Sequence, residues 1–255
     1  MRIALVNPMA RNSQGYHTIG VTIPHLGLQV LARKVQAPHT VDIIDEIFGS
    51  ERTEEWLTPE RYDLVGITAY SSGATRAYEL AGLCRRRTLP CVMGGPHAWA
   101  CPDEAQRYFD SVAVGECDDI WPQIVDAAAR GRLAPRYEGA PARLSGGGGA
   151  AAQGIRPING RYDVGAIQTS RGCPIGCDFC SVTKFNGRTI RRRPVAEIVA
   201  EWNELDRRFL VVVDDNFYGV GPTHAEQAKE ILRGLIRHGK TRRWFGQTSI
   251  NMGAD

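Results

Sequence analysis

The sequence has no apolar run that approaches the ~20 residues a helix needs to cross a bilayer. It also has little excess charge, because 31 basic residues face 28 acidic ones and the net charge is +3. This balance gives no reason to expect a nucleic-acid or membrane partner. The apolar stretch at the start of the chain is too short for a secretory signal, and we therefore expect a cytoplasmic protein.

Cysteines are few and unevenly placed. There are seven, of which three are clustered in the second half of the chain. Because cytosolic thiols stay reduced, a tight cluster indicates a metal site and not disulfides. We expect the scattered ones to be core or surface thiols, namely Cys84, Cys91, Cys101 and Cys117.

In the first half of the chain, short apolar runs alternate with amphipathic stretches. We predict helices near 24–37, 74–87, 103–109 and 119–130. The predicted strands are Arg2–Asn7, Thr40–Ile44, Leu64–Thr68, Cys91–Met93 and Ser111–Val114. This alternation is typical of an α/β domain with a doubly wound, Rossmann-like parallel sheet, predicted here over residues 1–135.

A second βα series follows an irregular connector. Prolines, alanines and the run Gly146–Gly149 mark a linker over 136–163. Helices are predicted over 194–208 and 222–238. The predicted strands are Val164–Thr169, Phe209–Val213 and Trp244–Ile250. A series over 164–255 that stops on a strand leaves an open sheet edge, so we expect the chain to be a fragment or to lack a C-terminal part.

The clustered cysteines follow the first strand of this series. Cys173, Cys177 and Cys180 have the spacing C-x3-C-x2-C, and Gly172 and Gly176 let the backbone fold closely around a bound group. Three thiolates on one loop can bind three irons of a cubane cluster, because soft ligands suit iron–sulfur chemistry. The fourth iron then has no cysteine and can accept a small molecule.

Three other interpretations compete. A zinc site needs a fourth ligand, and no further Cys or His lies nearby in the sequence. A ferredoxin-type site takes a fourth cysteine from elsewhere, and the scattered cysteines are available for that. A purely structural cluster in the core is disfavoured because Pro174, Gly176 and Asp178 make the loop irregular.

This motif, with Phe179 just before the last cysteine, resembles the signature of the radical S-adenosylmethionine (SAM) superfamily. The resemblance implies a 4Fe–4S cluster whose open iron binds the amino and carboxylate groups of SAM. One electron then yields a 5′-deoxyadenosyl radical, and Phe179 lies near the adenine. It also implies a partial (β/α) radical SAM barrel and an electron donor of the flavodoxin or ferredoxin type.

Two further segments resemble this family. Asp214, Asp215 and Asn216 follow the second strand of the series, where related enzymes receive the amino group of SAM. The alternative is an acidic turn after a strand. The basic stretch Gly187–Pro194 resembles one that these enzymes carry after the cluster, and it is either an anion-binding segment or a solvated lead into a helix.

The loops that follow the first-half strands are rich in small residues, and together they resemble a cobalamin-binding domain. The candidate cobalamin contacts are Ser71, Ser72, Gly73, Gly94, Gly95, Pro96, Gly115 and Glu116. One departure concerns the motif D-x-H-x-x-G, because the corresponding segment Asp45–Gly49 has no histidine. We expect cobalt to lack a histidine ligand here, although loss of cobalamin would also explain the change.

The resemblance implies a cobalamin-dependent radical SAM enzyme, similar to the class B methyltransferases, that methylates an unactivated carbon or phosphorus centre of a small molecule. Cobalamin then carries the methyl group, and no catalytic side chain is assigned. A cobalamin-dependent radical SAM cyclase or rearrangement enzyme shares both domains. A cluster-binding or cobalamin-binding module without turnover is the alternative of a different class.

Overall fold

The computed structural model describes residues 1–9, 22–50, 52–144 and 157–254. The chain forms two units with separate cores. One unit comprises Met1–Ala142 and Ile155–Arg161, and the other comprises Arg143–Gly154 and Tyr162–Asp255. Within the described ranges, no helix is both long enough and apolar enough to span a membrane.

A parallel sheet forms the centre of the first unit. Its strands are β1 (Arg2–Asn7), β2 (Thr40–Asp45), β3 (Leu64–Thr68), β4 (Cys91–Gly94), β5 (Ser111–Gly115) and β6 (Arg136–Gly139). Among the residues described, the sheet has six strands in the order β2-β1-β3-β4-β5-β6. The five strands predicted from the sequence are therefore present, because each is an apolar run that a sheet covered on both faces buries. The α/β, doubly wound prediction is confirmed.

Helices cover both faces of this sheet. They are α1 (Leu26–Lys34), α2 (Thr53–Trp56), α3 (Ala74–Arg86), α4 (Pro96–Ala100), α5 (Pro102–Ala105) and α6 (Trp121–Ala129). Neighbouring residues of β1 point to opposite faces. Leu5 belongs to a core with Leu28 of α1 and Trp121 of α6, whereas Val6 belongs to a core with Leu80 of α3.

The predicted linker contains structure that the sequence analysis did not predict. Residues 136–139 form β6, which pairs in parallel with β5. This strand has the sequence Arg-Tyr-Glu-Gly with exposed residues at every second position, so it carries no apolar signal. Gly139 lies so close to β5 that a Cβ there would come 2.0 Å from the Glu116 carbonyl oxygen. The first unit therefore extends past the boundary predicted at residue 135.

A second part of the predicted linker returns to β2. The Ile158 amide donates to the Ile43 carbonyl over 2.9 Å. The Asn159 side chain accepts from the Asp45 amide (3.1 Å) and donates to the Asp45 carbonyl (2.7 Å). This segment thus belongs to the first unit. The glycine run Gly146–Gly149 of the predicted linker lies outside the described residues.

The second unit contains the second βα series. Its elements are β7 (Gly165–Ile167), β8 (Ser170–Arg171), α7 (Val182–Phe185), β9 (Arg191–Arg192), α8 (Val195–Glu204), β10 (Phe209–Val212), α9 (Pro222–His238) and β11 (Arg243–Gly246). In the part of this unit that the structure describes, β7, β10 and β11 form a parallel sheet in that order. Trp202 of α8 and Ile231 of α9 pack against Leu210 of β10. The opening of a parallel βα barrel series is thus confirmed.

The last predicted strand is shorter in the structure. Strand β11 ends at Gly246, and a 3₁₀ helix spans Ile250–Ala254. The two-residue strands β8 and β9 pair antiparallel with each other, which the sequence analysis also did not predict. Strands this short contain no period that a sequence pattern could reveal.

Candidate functional site

The cysteine loop runs from β8 to β9, and the pairing of these strands closes its base. The Cys173 amide donates to the Gly187 carbonyl over 3.2 Å, and the Arg193 amide donates to the Thr169 carbonyl over 2.9 Å. Gly172 has φ +100°, and a Cβ there would come 2.4 Å from the Thr189 carbonyl oxygen. Only glycine suits this position, because other residues rarely adopt such a φ and would meet backbone.

The three cysteines lie on the outer part of this loop. Cys177 is exposed, whereas Cys173 and Cys180 are half-buried. Three thiol donors on one loop suit an iron–sulfur cluster, because thiolate is the soft ligand that such clusters take. A structural zinc ion would need a fourth ligand beside them.

Asp215 joins β10 to both arms of the cysteine loop. Its Oδ2 accepts from the Gly172 amide over 2.8 Å and from Asn186 Nδ2 over 2.9 Å. Gly172 precedes the first cysteine, and Asn186 follows α7. One carboxylate oxygen thus fixes the backbone beside Cys173 from a strand more than forty residues away in sequence.

Asp214 is buried and engaged by short polar residues next to β8. Its Oδ1 accepts from the Thr169 amide (2.6 Å), and its Oδ2 accepts from the hydroxyls of Thr169 and Ser170. Burial raises the pKa of Asp214, and these hydrogen bonds oppose the rise. The structure therefore gives Asp214 a set of protein partners where the sequence suggested a SAM contact.

Asn216 links the cysteine loop to the segment after β11. It is buried, and its Oδ1 accepts from the amides of Gly219 (3.0 Å) and Ser249 (3.2 Å). Its Nδ2 donates to Ser249 Oγ over 3.3 Å and approaches Cys173 Sγ at 3.9 Å. An amide directed at a cysteine sulfur is one of the features by which a protein sets the potential of an iron–sulfur cluster.

The basic stretch after the loop is largely engaged within the unit. Arg191 donates to the Asn186 carbonyl over 3.1 Å, and Arg192 donates to the Phe217 carbonyl over 2.8 Å. Arg193 forms a buried ion pair with Glu201 at 2.5 Å. Burial lowers the pKa of Arg192, and the charge of Asp214 opposes this. These three arginines therefore hold the base of the loop in place.

Phe179 lies at the tip of the loop and is 93% exposed. An exposed aromatic ring is stabilised when it packs against an apolar partner, because packing removes its apolar surface from water. The structure thus places this predicted adenine contact at the surface next to Cys180, without a partner ring among the described aromatic pairs.

In the first unit, the candidate cobalamin residues follow the carboxyl ends of β3, β4 and β5. In the order β2-β1-β3-β4-β5, the topological switch point lies between β1 and β3, where such sheets bind ligands. Ser71–Gly73 forms a 3₁₀ turn at this point, and Ser71 and Ser72 are exposed. A Cβ at Gly73 would lie 3.3 Å from the Pro8 carbonyl oxygen, so the ends of β1 and β3 approach closely here.

The other candidates have local structural roles. Gly95, with φ +87°, would place a Cβ 2.4 Å from Thr68 Oγ1, and Gly115, with φ +90°, would place one 2.2 Å from the Gly139 carbonyl oxygen. The buried Glu116 carboxylate accepts from the Ala142 amide over 2.8 Å. Gly94, by contrast, has only ordinary contacts at its Cβ position, the nearest being Cys117 Sγ at 3.6 Å.

The segment that lacks the motif histidine is held by polar contacts. The Asp45 carboxylate accepts from Asn7 Nδ2 (2.9 Å) and from the Ile47 amide (3.1 Å). His25 precedes α1 and caps it, because its imidazole accepts from the Leu28 amide at 3.4 Å. Burial lowers the pKa of His25, and the charge of Asp45 opposes this.

Comparisons with known proteins match both units. Residues 15–125 match the B12 binding domain family model. The chain is 33% identical over 174 residues to a bacteriochlorophyllide d C-8(2)-methyltransferase of Chlorobaculum tepidum, covering 66% of this chain and 38% of the relative. It is 26% identical over 218 residues to a hopanoid C-2 methylase of Rhodopseudomonas palustris, covering 79% and 39%.

Solved structures share the fold over nearly the whole chain. The radical SAM methyltransferase TsrM of Kitasatospora setae, solved with tryptophan and a SAM analogue, has a TM-score of 0.72 at 20% identity over 92% of this chain and 51% of its own. The cobalamin-dependent SAM radical enzyme OxsB has a TM-score of 0.68 at 15% identity over 95% and 38%. The first unit is thus similar to B12 binding domains, and the chain shares the fold of these SAM-using enzymes.

The chain spans between 38% and 60% of the length of the first curated relatives it matches. The sequence indicated this resemblance through the cysteine spacing and the Gly- and Ser-rich loops. It did not reveal the partners that hold the cysteine loop, which are Thr169, Ser170, Asn186 and Ser249. Thr169 and Ser170 carry a weak signal, because both are short polar residues directly after an apolar strand.

Proposed function

We propose that this chain is the cobalamin-binding and cluster-binding part of a radical SAM methyltransferase. The observation that carries the proposal is the C-x3-C-x2-C loop, which the fold places at the end of β7 and clamps through Asp215, in a chain whose first unit matches the B12 binding domain. The methyltransferase activity is supported by the names of the relatives, which include the two methylating enzymes described above.

In this proposal, Cys173, Cys177 and Cys180 hold a 4Fe–4S cluster. Once bound, such a cluster supplies the electron that cleaves SAM. The chain contributes the geometry around it: Gly172 brings the backbone close, Asp215 fixes the approach to Cys173, and Asn216 directs an amide toward the Cys173 sulfur. Asp215 is the more accessible of the two neighbouring carboxylates, since it is partly exposed where Asp214 is buried.

For SAM, we propose that Asp215 and Phe179 remain the first contacts to test. Phe179 is exposed beside Cys180, so it can cover an adenine without a change in the core. Asp214 and Asn216 would position the surrounding backbone instead of contacting SAM, because their polar atoms bind neighbouring protein groups. An electron donor of the flavodoxin or ferredoxin type would be the redox partner.

We propose that cobalamin binds at the carboxyl ends of the strands of the first sheet. The contacts there would come from Ser71–Gly73, Gly94–Pro96 and Gly115–Glu116. The first two segments lie at or beside the switch point, where parallel sheets bind ligands. At Gly94, a Cβ would make only ordinary contacts, so the backbone there is not tightly enclosed. With no histidine in Asp45–Gly49, the lower face of cobalt would have no imidazole ligand from this segment.

We further propose that the reaction is methylation of an unactivated carbon on a small molecule, with cobalamin as the methyl carrier. Relatives that act on bacteriochlorophyllides and hopanoids support carbon as the acceptor. Formation of methylated product with S-adenosylhomocysteine would support methyl transfer. Formation of 5′-deoxyadenosine alone would favour a radical SAM cyclisation or rearrangement.

The deciding experiment is anaerobic reconstitution with iron and sulfide, followed by electron paramagnetic resonance of the reduced protein with and without SAM. We expect a 4Fe–4S signal that changes when SAM is added and that is absent from a Cys177→Ala variant. A cluster signal that does not change when SAM is added would contradict the proposal that one iron is free to bind SAM.

The scattered cysteines provide matched controls. We expect single alanine variants of Cys84, Cys91, Cys101 and Cys117 to keep both the cluster signal and its response to SAM. Loss of the cluster in one of them would identify a fourth protein ligand and favour an electron-carrying module without SAM cleavage.

A further inference from the structure

We propose that Glu104, Tyr78 and His97 orient the Ser71 hydroxyl so that it accepts a hydrogen bond from cobalamin. The inference rests on the proposed cobalamin binding and adds to it a positioning network behind the site. Tyr78 belongs to α3, His97 to α4 and Glu104 to α5, and Ser71 begins the turn at the switch point.

The four side chains form a continuous series of hydrogen bonds. The Tyr78 hydroxyl lies 2.8 Å from Glu104 Oε1 and 2.7 Å from His97 Nε2. His97 Nδ1 lies 3.1 Å from Ser71 Oγ. His97 is buried and Ser71 is exposed, so the series runs from a carboxylate through a buried imidazole to a hydroxyl at the surface.

The hydrogen bond from Tyr78 to Glu104 is the starting point for assigning the direction of the other bonds. Burial raises the pKa of Tyr78, and the hydrogen bond to Glu104 raises it further, so the phenol keeps its proton and donates it to the carboxylate. The Tyr78 oxygen must then accept from His97 Nε2–H. We therefore assign the ring proton of His97 to Nε2, which leaves Nδ1 to accept from the Ser71 hydroxyl.

This assignment determines what Ser71 offers to a ligand. Its single proton is directed at His97, so its oxygen lone pairs remain for a donor outside the protein. Cobalamin has two kinds of donor, the amide groups around its corrin ring and the ribose hydroxyl of its nucleotide tail. Both are chemically suited to a serine oxygen that only accepts.

The network is rigid. The Tyr78 ring stacks on Tyr108 with centroids 4.1 Å apart and packs edge-on against Phe109 at 6.3 Å. The His97 amide donates to the Ala69 carbonyl over 2.9 Å, which ties α4 to the end of β3 just before Ser71. A hydroxyl held in this way loses little conformational freedom when a ligand binds.

A metal ion is the competing occupant of this place. Ligand atoms of His97, Cys101 and Glu104 all lie within 4.8 Å of one another. The Tyr78 hydroxyl, however, already bonds both His97 Nε2 and Glu104 Oε1, so an ion would have to displace it. The hydrogen-bond network therefore accounts for the geometry without a metal.

Equilibrium titration of the chain with hydroxocobalamin tests the proposal. A Ser71→Ala variant loses one hydrogen bond, and we expect about 2- to 12-fold weaker binding. Replacing His97 by asparagine or by glutamine distinguishes the hydrogen bond made by Nδ1 from the one made by Nε2. Asparagine places an oxygen near the Nδ1 position and can still accept from Ser71, whereas glutamine reaches toward Tyr78 and leaves Ser71 without its acceptor.

We expect His97→Asn to bind cobalamin nearly as well as the wild type and His97→Gln to bind as weakly as Ser71→Ala. The double variant Ser71→Ala/His97→Gln should bind no more weakly than Ser71→Ala alone, because both changes act through one hydroxyl. Circular dichroism of each variant checks that the first unit is folded, and Ser71→Ala, at an exposed position, tests the proposal even where a His97 variant does not fold.

Cobinamide, which keeps the ring amides and lacks the nucleotide tail, identifies the donor. If Ser71→Ala weakens cobinamide equally, the donor is a ring amide, and if it weakens only cobalamin, the donor is on the tail. Equal binding by wild type and Ser71→Ala, or equal losses in the two His97 variants, would overturn the network. Absence of any cobalamin binding by the wild type would instead overturn the proposed function.

Discussion

A buried carboxylate, that of Asp214, joins the end of β10 to the residues around β8. Three donors from Thr169 and Ser170 converge on it. Burial makes the charged form of this carboxylate costly, and the hydrogen bonds offset only part of that cost, so the pKa stays raised. Asp214 therefore links the end of β10 to the start of β8, where the cysteine loop begins.

An Asp214→Asn variant should be less stable. The amide keeps one acceptor oxygen but directs an NH₂ group at groups that also donate, so at least one buried donor loses its partner. We expect a loss of about 1–3 kcal/mol in the free energy of unfolding of the second unit. Hydrogen exchange of peptides that contain Thr169 measures it, with Asp178→Asn on the exposed part of the same loop as the matched control.

The same carboxylate predicts a dependence on pH. Because the pKa of Asp214 is raised above its ordinary value of 3.8, the folded state binds this proton more tightly than the unfolded state does. Its contribution to stability is complete below pH 3.8 and is lost as the pH rises through the folded-state pKa. The stability difference between wild type and Asp214→Asn should therefore shrink as the pH rises above 3.8. A difference that grows with pH would show that the hydrogen bonds outweigh burial.

At the level of elements, the cysteine loop depends on two glycines with different surroundings. Gly172 and Gly187 both have positive φ, but a Cβ at Gly172 would meet the Thr189 carbonyl oxygen at 2.4 Å, whereas a Cβ at Gly187 has no neighbour within 4 Å. Comparing substitutions at Gly172 and Gly187 therefore distinguishes the free-energy cost of a positive φ from the cost of a steric clash at Cβ.

We expect Gly187→Ala to cost the roughly 1–2 kcal/mol of a left-handed residue and Gly172→Ala to cost more, because backbone must also move. Since that movement occurs next to Cys173, Gly172→Ala should also retain less iron after reconstitution than Gly187→Ala does. Iron and sulfide analysis per chain measures this, and equal iron contents would show that the loop adapts freely.

The elements also show what the sequence could predict. Strands β1 and β3 have their predicted bounds, because short apolar runs between helical stretches indicate a buried parallel sheet. Strand β6 was missed because its alternating exposed residues carry no apolar signal. The contact of Asp215 with Gly172 could not be predicted either, since it joins residues 43 positions apart and depends on the tertiary fold.

At the scale of the whole molecule, each group of candidate residues lies within one unit. The candidate cluster and SAM residues belong to the unit of β7, β10 and β11, and the candidate cobalamin residues belong to the unit of the larger sheet. Each unit has a separate buried core. A substitution that disturbs one set of residues therefore need not disturb the other.

We expect two variants with opposite selectivity. Cys177→Ser removes an exposed ligand of the proposed cluster, so iron content should fall while hydroxocobalamin binding is retained. Gly95→Ala brings a Cβ within 2.4 Å of Thr68 Oγ1 and 3.3 Å of the Ala69 nitrogen, which displaces the ends of β3 and β4. It should weaken cobalamin binding while iron content is retained. Parallel titrations and iron analysis on the same samples decide the matter, because a variant that loses both groups would show that the two sites depend on each other.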